Sequence, residues 1–270
     1  MKLIPSRYTS LIALIAASSL LLLAYCHRGT AGAAPGPGSP VVVELFTSEG
    51  CSSCPPADAL LARLGEQPSS LNVEVIALEE HVDYWNQLGW YDPFSSPDWT
   101  ARQSAYAKPL GNGNPYTPQM VVDGSVEFVG SLAQQALKFI SEAAQRPKTA
   151  VTLSQGNAAK PEKGDFSVSV GKLPGAAGGS ADVWLAITES GLHSDVKGGE
   201  NVGHDLHHAA IVRAMRQIGE AKGAGDTSFT GSATISLRKE WKRENLRAVV
   251  FVQEKKTLRI IGAAQISLRS

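Results

Sequence analysis

The run Val41-Val42-Val43-Glu44-Leu45-Phe46 limits the architecture more than any other segment. β-Branched and aromatic side chains in near-unbroken succession suit a strand covered on both faces, as in parallel sheets flanked by helices. Thr47-Ser48-Glu49-Gly50 then reads as a turn, followed by Cys51-Ser52-Ser53-Cys54-Pro55-Pro56. Leu60, Leu61 and Leu64 recur at helical spacing beyond it. Prolines are tolerated in a first helical turn, whose amides have no intrahelical acceptor. The sequence predicts a buried strand, a turn, and a helix opened by two cysteines.

Val73 to Glu79 reads as the next strand, and residues 80–114 as a polar, aromatic-rich insertion. Within it Ser96-Pro97-Asp98 marks a helix start before Trp99 to Lys108. Thr117-Pro118 leads into an apolar run, and Asp123-Gly124 is a two-residue hairpin signal before Val126 to Val129. Ser131 with Gln134 forms a capping box for a helix carrying Leu132, Ala136, Leu137 and Ile140. After Arg146-Pro147-Lys148 the pattern changes to short β-type runs: Ala150 to Ser154, Phe166 to Val170, Val183 to Thr188, Ser228 to Leu237, Leu246 to Gln253 and Leu258 to Ile266. Ile211 to Ile218 fits both a helix and a strand and is assigned to a strand. Strands of this kind, separated by turn signals, point to an antiparallel sandwich.

The 25 basic and 25 acidic side chains leave no net charge. That balance excludes the broad basic surface of a protein held by nucleic-acid phosphates. Lys2 and Arg7 precede the apolar stretch Leu11 to Ala24, and Ala31-Gly32-Ala33 follows, which is the layout of a secretory signal over residues 1–33. The stretch is short for a bilayer core of about 30 Å, so cleavage is expected, with residues 34–40 as a linker and no membrane span afterwards. Cys26 offers a competing lipid-attachment reading, to which the bulky Tyr25 before it is a poor fit.

The pair Cys51 and Cys54 carries the sharpest chemistry. At a helix start, unpaired amides favour thiolate over thiol, and the thiolate is the reactive form. Cys51 is then the attacking sulfur and Cys54 resolves the mixed disulfide. The competing reading is a structural disulfide, which in so small a loop constrains the unfolded chain little. Pro118 after Thr117 is a candidate cis peptide that would position substrate. His81 offers a structural, proton-transfer or metal-binding imidazole, with Asp83 and Tyr84 as auxiliary groups. Two thiolates and an imidazole suit Cu(I), so Cys51, Cys54 and His81 form a candidate copper set. His204, Asp205, His207 and His208 read as a loop, although a His-Asp-His group can bind zinc. Trp85, Trp90, Tyr91, Phe94 and Trp99 either line a groove or pack the insertion.

The order of strand, cysteine pair, Thr117-Pro118, Asp123-Gly124 and the Ser131 helix resembles the thioredoxin fold. More narrowly, Val43 to Asp58, His81-Val82-Asp83-Tyr84-Trp85, Pro93-Phe94-Ser95-Ser96, Arg102-Gln103, Tyr116-Thr117-Pro118-Gln119, Val212-Arg213 and Gly262-Ala263-Ala264 are similar to the family of exported thioredoxin-like proteins catalogued as domain of unknown function 1223. The chain departs from thioredoxin itself in Ser52-Ser53, in Pro55-Pro56 and in lacking a Trp before Cys51. The resemblance implies a thioredoxin-like α/β domain over 41–146, with its insertion at 80–114, followed by an antiparallel, immunoglobulin-like β-sandwich domain over 148–270. The expected function is thiol-disulfide exchange on an exported protein or small-molecule disulfide or thiol, in the periplasm or outside the cell, with no cofactor required. The alternatives are a Cu(I) metallochaperone and a non-enzymatic envelope module with a structural disulfide. Redox direction stays open.

Overall fold

The computed structural model describes residues 38–66, 72–111, 113–156, 162–174, 180–223 and 225–268. The leader expected at 1–33 lies outside them, and of the linker only Gly38, Ser39 and Pro40 lie inside, as the start of the first strand. In chain order the elements are β1 (Gly38–Thr47), α1 (Pro55–Glu66), β2 (Val73–His81), α2 (Pro97–Leu110), β3 (Gln119–Val122), β4 (Val126–Val129) and α3 (Ala133–Ala144). There follow β5 (Val151–Gln155), β6 (Lys163–Gly171), β7 (Ser180–Glu189), β8 (Leu192–Asp195), β9 (Asp205–His208), β10 (Ile211–Lys222), β11 (Thr227–Ser236), β12 (Leu246–Glu254) and β13 (Ile260–Ser267).

Eight strands form one mixed sheet in the order β13-β12-β7-β10-β2-β1-β3-β4. β1 and β2 run parallel through the α1 crossover, as buried strands of this composition do. β10 joins β2 in parallel at Ile211 opposite Glu79 and pairs antiparallel with β7 along its length. Leu60, Leu61 and Leu64 of α1 and Ile140 of α3 cover Val41, Val43, Val75 and Met120 on one face. On the other face Trp99 of α2 packs with Val42, Ile76 and Leu78, and with Ala186, Val249 and Phe251. A second sheet, β11-β6-β5, buries Phe166, Val168 and Val170 against Val183, Leu185 and Val250.

The expected fold class, a thioredoxin-like α/β domain followed by a separate immunoglobulin-like β-sandwich, is overturned. The molecule is mostly a large mixed sheet of eight strands with few helices, and β7, β10, β12 and β13 extend the sheet that β1 to β4 begin. The apolar side chains of β10 and β12 mark buried strands but carry no record of which strand lies alongside. Residues buried on both faces, such as Val249 to Val252, have equal claim to a sandwich or to the middle of a larger sheet.

Local signals fared unevenly. Ser96 caps α2 by accepting from the Asp98 amide at 3.2 Å. The capping box does not form, since Leu132 occupies the cap of α3 without a side-chain hydrogen bond. The β8–β9 hairpin, built on the segment read as a His-rich loop, was absent from the strand pattern. Among the described residues no helix is long and apolar enough to cross a membrane.

The strand registers bring several loops to one edge. Thr47 of β1 pairs with His81 of β2, Phe46 with Gln119 of β3, Gln119 with Val129 of β4, and Glu79 with Ile211 of β10. The turns after β1, β2 and β4 and those before β3 and β10 therefore meet there.

At the opposite edge, Asp123 and Gly124 have φ of 47° and 58°, the left-handed pair that a tight two-residue hairpin turn requires. A Cβ on Gly124 would lie 2.0 Å from the Leu258 carbonyl oxygen. Gly113, with φ of 74°, has nothing within 4 Å of that position. In urea unfolding, Gly124→Ala should lose more than about 2 kcal/mol and Gly113→Ala about 1 kcal/mol, because only the first adds a backbone collision to the conformational cost.

Candidate functional site

Cys51 and Cys54 form a disulfide with Cα atoms 5.4 Å apart. The tight turn follows from the hydrogen bonds of the Cys51 amide to the Ser48 carbonyl and of the Cys54 amide to the Cys51 carbonyl, both 3.1 Å. Cys54 sits at the head of α1, where its carbonyl accepts from the Ala57 amide at 2.8 Å. Pro55 and Pro56 occupy the first helical positions, whose amides would have lacked partners. Both cysteines are 0% exposed, whereas thiol attack needs an accessible sulfur.

The cover over the turn comes from the loop between β8 and β9. Glu200 accepts from the Ser52 amide at 3.0 Å and from its hydroxyl at 2.6 Å. Asn201 donates to the carbonyls of Glu49 and Cys51 at 2.8 and 3.0 Å. Gly198 lies so close to Gly89 that a Cβ there would meet its carbonyl at 2.2 Å. The loops following β2 and β8 thus meet beside the disulfide turn.

Thr117–Pro118 is a cis peptide. Trp85 links it to the cysteine turn, donating its indole N–H to the Thr117 hydroxyl at 2.9 Å while its Cβ lies 3.2 Å from where a Cβ on Gly50 would stand. The Pro118 carbonyl accepts from the Gly130 amide, and a Cβ on Gly130 would meet Leu45 at 2.7 Å and Ala57 at 3.1 Å. Cys51, Cys54, Thr117 and Pro118 therefore belong to one neighbourhood.

Beside the turn lies a buried polar network. His81 directs Nδ1 to Asp92 at 2.7 Å and Nε2 to Glu79 at 3.0 Å. His208 directs Nδ1 to the same Glu79 oxygen at 2.7 Å and Nε2 to Glu49 at 3.1 Å. Glu79 also accepts from the Ala209 amide, Glu49 from the Trp90 indole, and Asp92 from the Glu49 amide. Burial works against both imidazolium ions, but the facing carboxylates outweigh it, holding the His81 pKa well above the usual histidine value and lifting that of His208 to about 9. Glu79, His81 and His208 each offer one ligand atom within 4.8 Å of the others.

The candidate copper set is not assembled, because the cysteines are bonded to each other and both His81 nitrogens face carboxylates. Asp83 and Tyr84 turn away from it. Asp83 accepts from Thr100 at 2.6 Å and Tyr84 donates to Gln103, both fastening α2. His204 and His207 stay at the surface, and only His208 of that cluster reaches the interior. Phe94 packs edge-on against both buried imidazoles, whereas Tyr91 is exposed.

Glu49, Asp58, Glu79 and Asp92 were missed. Glu79-Glu80-His81 ends a strand that is apolar but for the exposed Glu74, and three consecutive ionisable residues after such a run signal buried pairing. Glu80 belongs to a second group on the other face, where Arg102 contacts it at 3.5 Å and Glu44 at 2.6 Å.

Comparison with known proteins places the molecule once this geometry is in view. A family model described as Protein of unknown function (DUF1223) matches residues 42–253. The chain belongs to that family. The crystal structure of a protein from Agrobacterium tumefaciens is 28% identical with a TM-score of 0.60, covering 84% of this chain and 93% of the other. HBP35 of Porphyromonas gingivalis is 20% identical with a TM-score of 0.61, covering 86% and 76%, and this shows likeness of fold alone. No curated protein sequence matches this DUF1223 chain.

Asp58 lies one helical turn beyond Cys54 and accepts from the Thr47 hydroxyl at 2.6 Å. Burial, with Glu79 nearby, raises its pKa from 3.8 to about 7. The folded state therefore holds this proton more tightly than the unfolded chain, so stability falls as pH rises from about 4 to about 7. Asp58→Asn keeps the acceptor and removes the titration. Urea unfolding from pH 4 to pH 8 should show this decline flattened, with a relative gain of about 4 kcal/mol at the upper end.

Proposed function

We propose that this DUF1223 protein is an exported thiol-disulfide exchange protein whose Cys51–Cys54 pair is opened by displacement of the 196–203 loop. The observation that carries this reading is the nature of the cover. A solvent-exposed Glu200 and the amide of Asn201 hold the turn by hydrogen bonds, whereas the sulfurs of a purely structural bridge need only apolar packing. Export rests on the basic and apolar leader pattern before Ala33.

With the loop displaced, a partner thiolate attacks Cys51 Sγ, the S–S bond breaks, and Cys54 leaves as a thiolate that takes up a proton supplied through Asp58. The partner's second thiolate then attacks the partner sulfur of the mixed disulfide and releases Cys51. Two electrons pass from the partner dithiol to the protein disulfide and two protons follow them, so the partner is oxidised, and the reverse sequence reduces a partner disulfide. The head of α1 favours the leaving thiolate of Cys54, and Asp58, protonated near neutral pH, suits proton delivery one turn away. Thr117 and Pro118, tied to the turn by Trp85, supply backbone groups for an extended partner segment. Tyr84, Leu88, Tyr91, Val129, Leu132 and Val202 expose apolar surface on the loops around this edge, which suits a partly unfolded protein as partner.

The complete burial of both cysteines favours a second reading, a non-enzymatic envelope module with a structural disulfide. The two readings differ in what uncovering does. Asn201→Ala removes two hydrogen bonds from the cover and should speed reduction of the disulfide by dithiothreitol about tenfold. Wild type should turn over a dithiol peptide, and Cys51→Ser should not. An unchanged reduction rate, no turnover, and a potential below about −300 mV would together assign the structural role.

A further inference from the structure

We propose that Glu79, His81 and His208 form a site for one divalent transition metal, zinc in particular, which fastens β2 to the β9–β10 junction. This site is separate from the two cysteines and goes beyond the exchange reading. Its donors are two imidazole nitrogens and one carboxylate, a set that suits zinc rather than a soft monovalent ion. His81 Nε2 and His208 Nδ1 converge on Glu79 Oε1 at 3.0 and 2.7 Å. Zinc bonded at about 2.0–2.2 Å places neighbouring donors roughly 3.3 Å apart, so each imidazole nitrogen needs to part from the shared Glu79 oxygen by only about 0.3–0.6 Å, and all three donor atoms already lie within 4.8 Å of one another.

The second observation concerns the far side of each ring. A metal-bound histidine commonly gives its other N–H to a carboxylate, which sets the tautomer and ring direction. Here Asp92 faces His81 Nδ1 at 2.7 Å and Glu49 faces His208 Nε2 at 3.1 Å. Those carboxylates are themselves held, Asp92 by the amides of Glu49 and Phe94, and Glu49 by Trp90. Two rings are thus oriented with one nitrogen each toward a shared oxygen and the other toward an anchored acceptor. Charge agrees as well: one divalent ion in place of the two protons directed at Glu79 leaves the total charge of three carboxylates and two rings unchanged. All five residues are buried, so loading accompanies folding.

The test uses the untagged chain, unfolded in guanidinium with EDTA, dialysed, and refolded with or without Zn2+ or Co2+, its disulfide intact. One zinc per chain should survive gel filtration, and the thermal midpoint should rise by about 10 °C. The cobalt protein should show the visible bands of a four-coordinate site without a thiolate charge-transfer band, and reduction of Cys51–Cys54 should leave metal content unchanged. His208→Ala should abolish binding, whereas His204→Ala with His207→Ala, both at exposed positions, should retain it. The proposal is overturned if wild type refolded in zinc retains none and gains no stability, if His208→Ala still binds, or if only the exposed pair matters. Wild-type stoichiometry and the cobalt spectrum decide the matter even if His208→Ala does not fold. Thiol-dependent metal content would instead point to the cysteines, and failure of the exchange assay would leave these readouts unaffected.

Discussion

Three carboxylates without access to water cannot share a small volume unless positive charge faces them. Glu49, Glu79 and Asp92 meet that condition through His81 and His208, each ring lying between two carboxylates. Removing one partner of such a buried set costs about 3–5 kcal/mol, because it strands a charge that water cannot reach. The disulfide turn depends on this arrangement directly. Glu49 stands two residues before Cys51, and its amide and carboxylate are fixed by Asp92, Trp90 and His208, so the turn leaves β1 in a defined direction.

The same constraint joins the two ends of the sequence. Glu49, Glu79, His81 and Asp92 come from the first third of the described chain, and His208 from the segment just before β10. Glu79 also accepts the Ala209 amide and donates its own amide to the Ala210 carbonyl. β10 is therefore fastened to β2 by side chains as well as by its single parallel register pair. From β10 the sheet continues through β7, β12 and β13, so charge pairing and strand addition support one another.

Much of the first half was legible because its signals are local. The β1 run, the cysteine turn, the Ser96 cap, the cis Thr117–Pro118 and the Asp123-Gly124 hairpin each depend on residues close in sequence. The joining of β10 to β2, which brings β7 into the same sheet through β10, was not, since a strand pair such as Ile211 and Glu79, more than a hundred residues apart, leaves no mark on periodicity. The site divides in the same way. Cys51, Cys54 and Pro118 stand out singly, but the significance of Glu79 appears only when His208 arrives across 129 residues. His208 itself resembled its surface neighbours His204 and His207, and only alternation in β9, with Leu206 and His208 inward, separates it from them.

The buried network also bears on why the cover over the disulfide is polar. The 196–203 loop leaves β8 and returns into β9, whose end carries His208, so any displacement of the loop pivots on a strand anchored by Glu49 and Glu79. Asn201 holds the carbonyls of Glu49 and Cys51 together, one residue belonging to the charge network and the other to the disulfide. The Glu200 bonds to Ser52 are exposed and exchange readily for bonds to water, whereas the Asn201 bonds and the carboxylate–imidazole pairs beneath are buried and do not. The strands that position the cysteines are thus held more firmly than the outer edge of the cover.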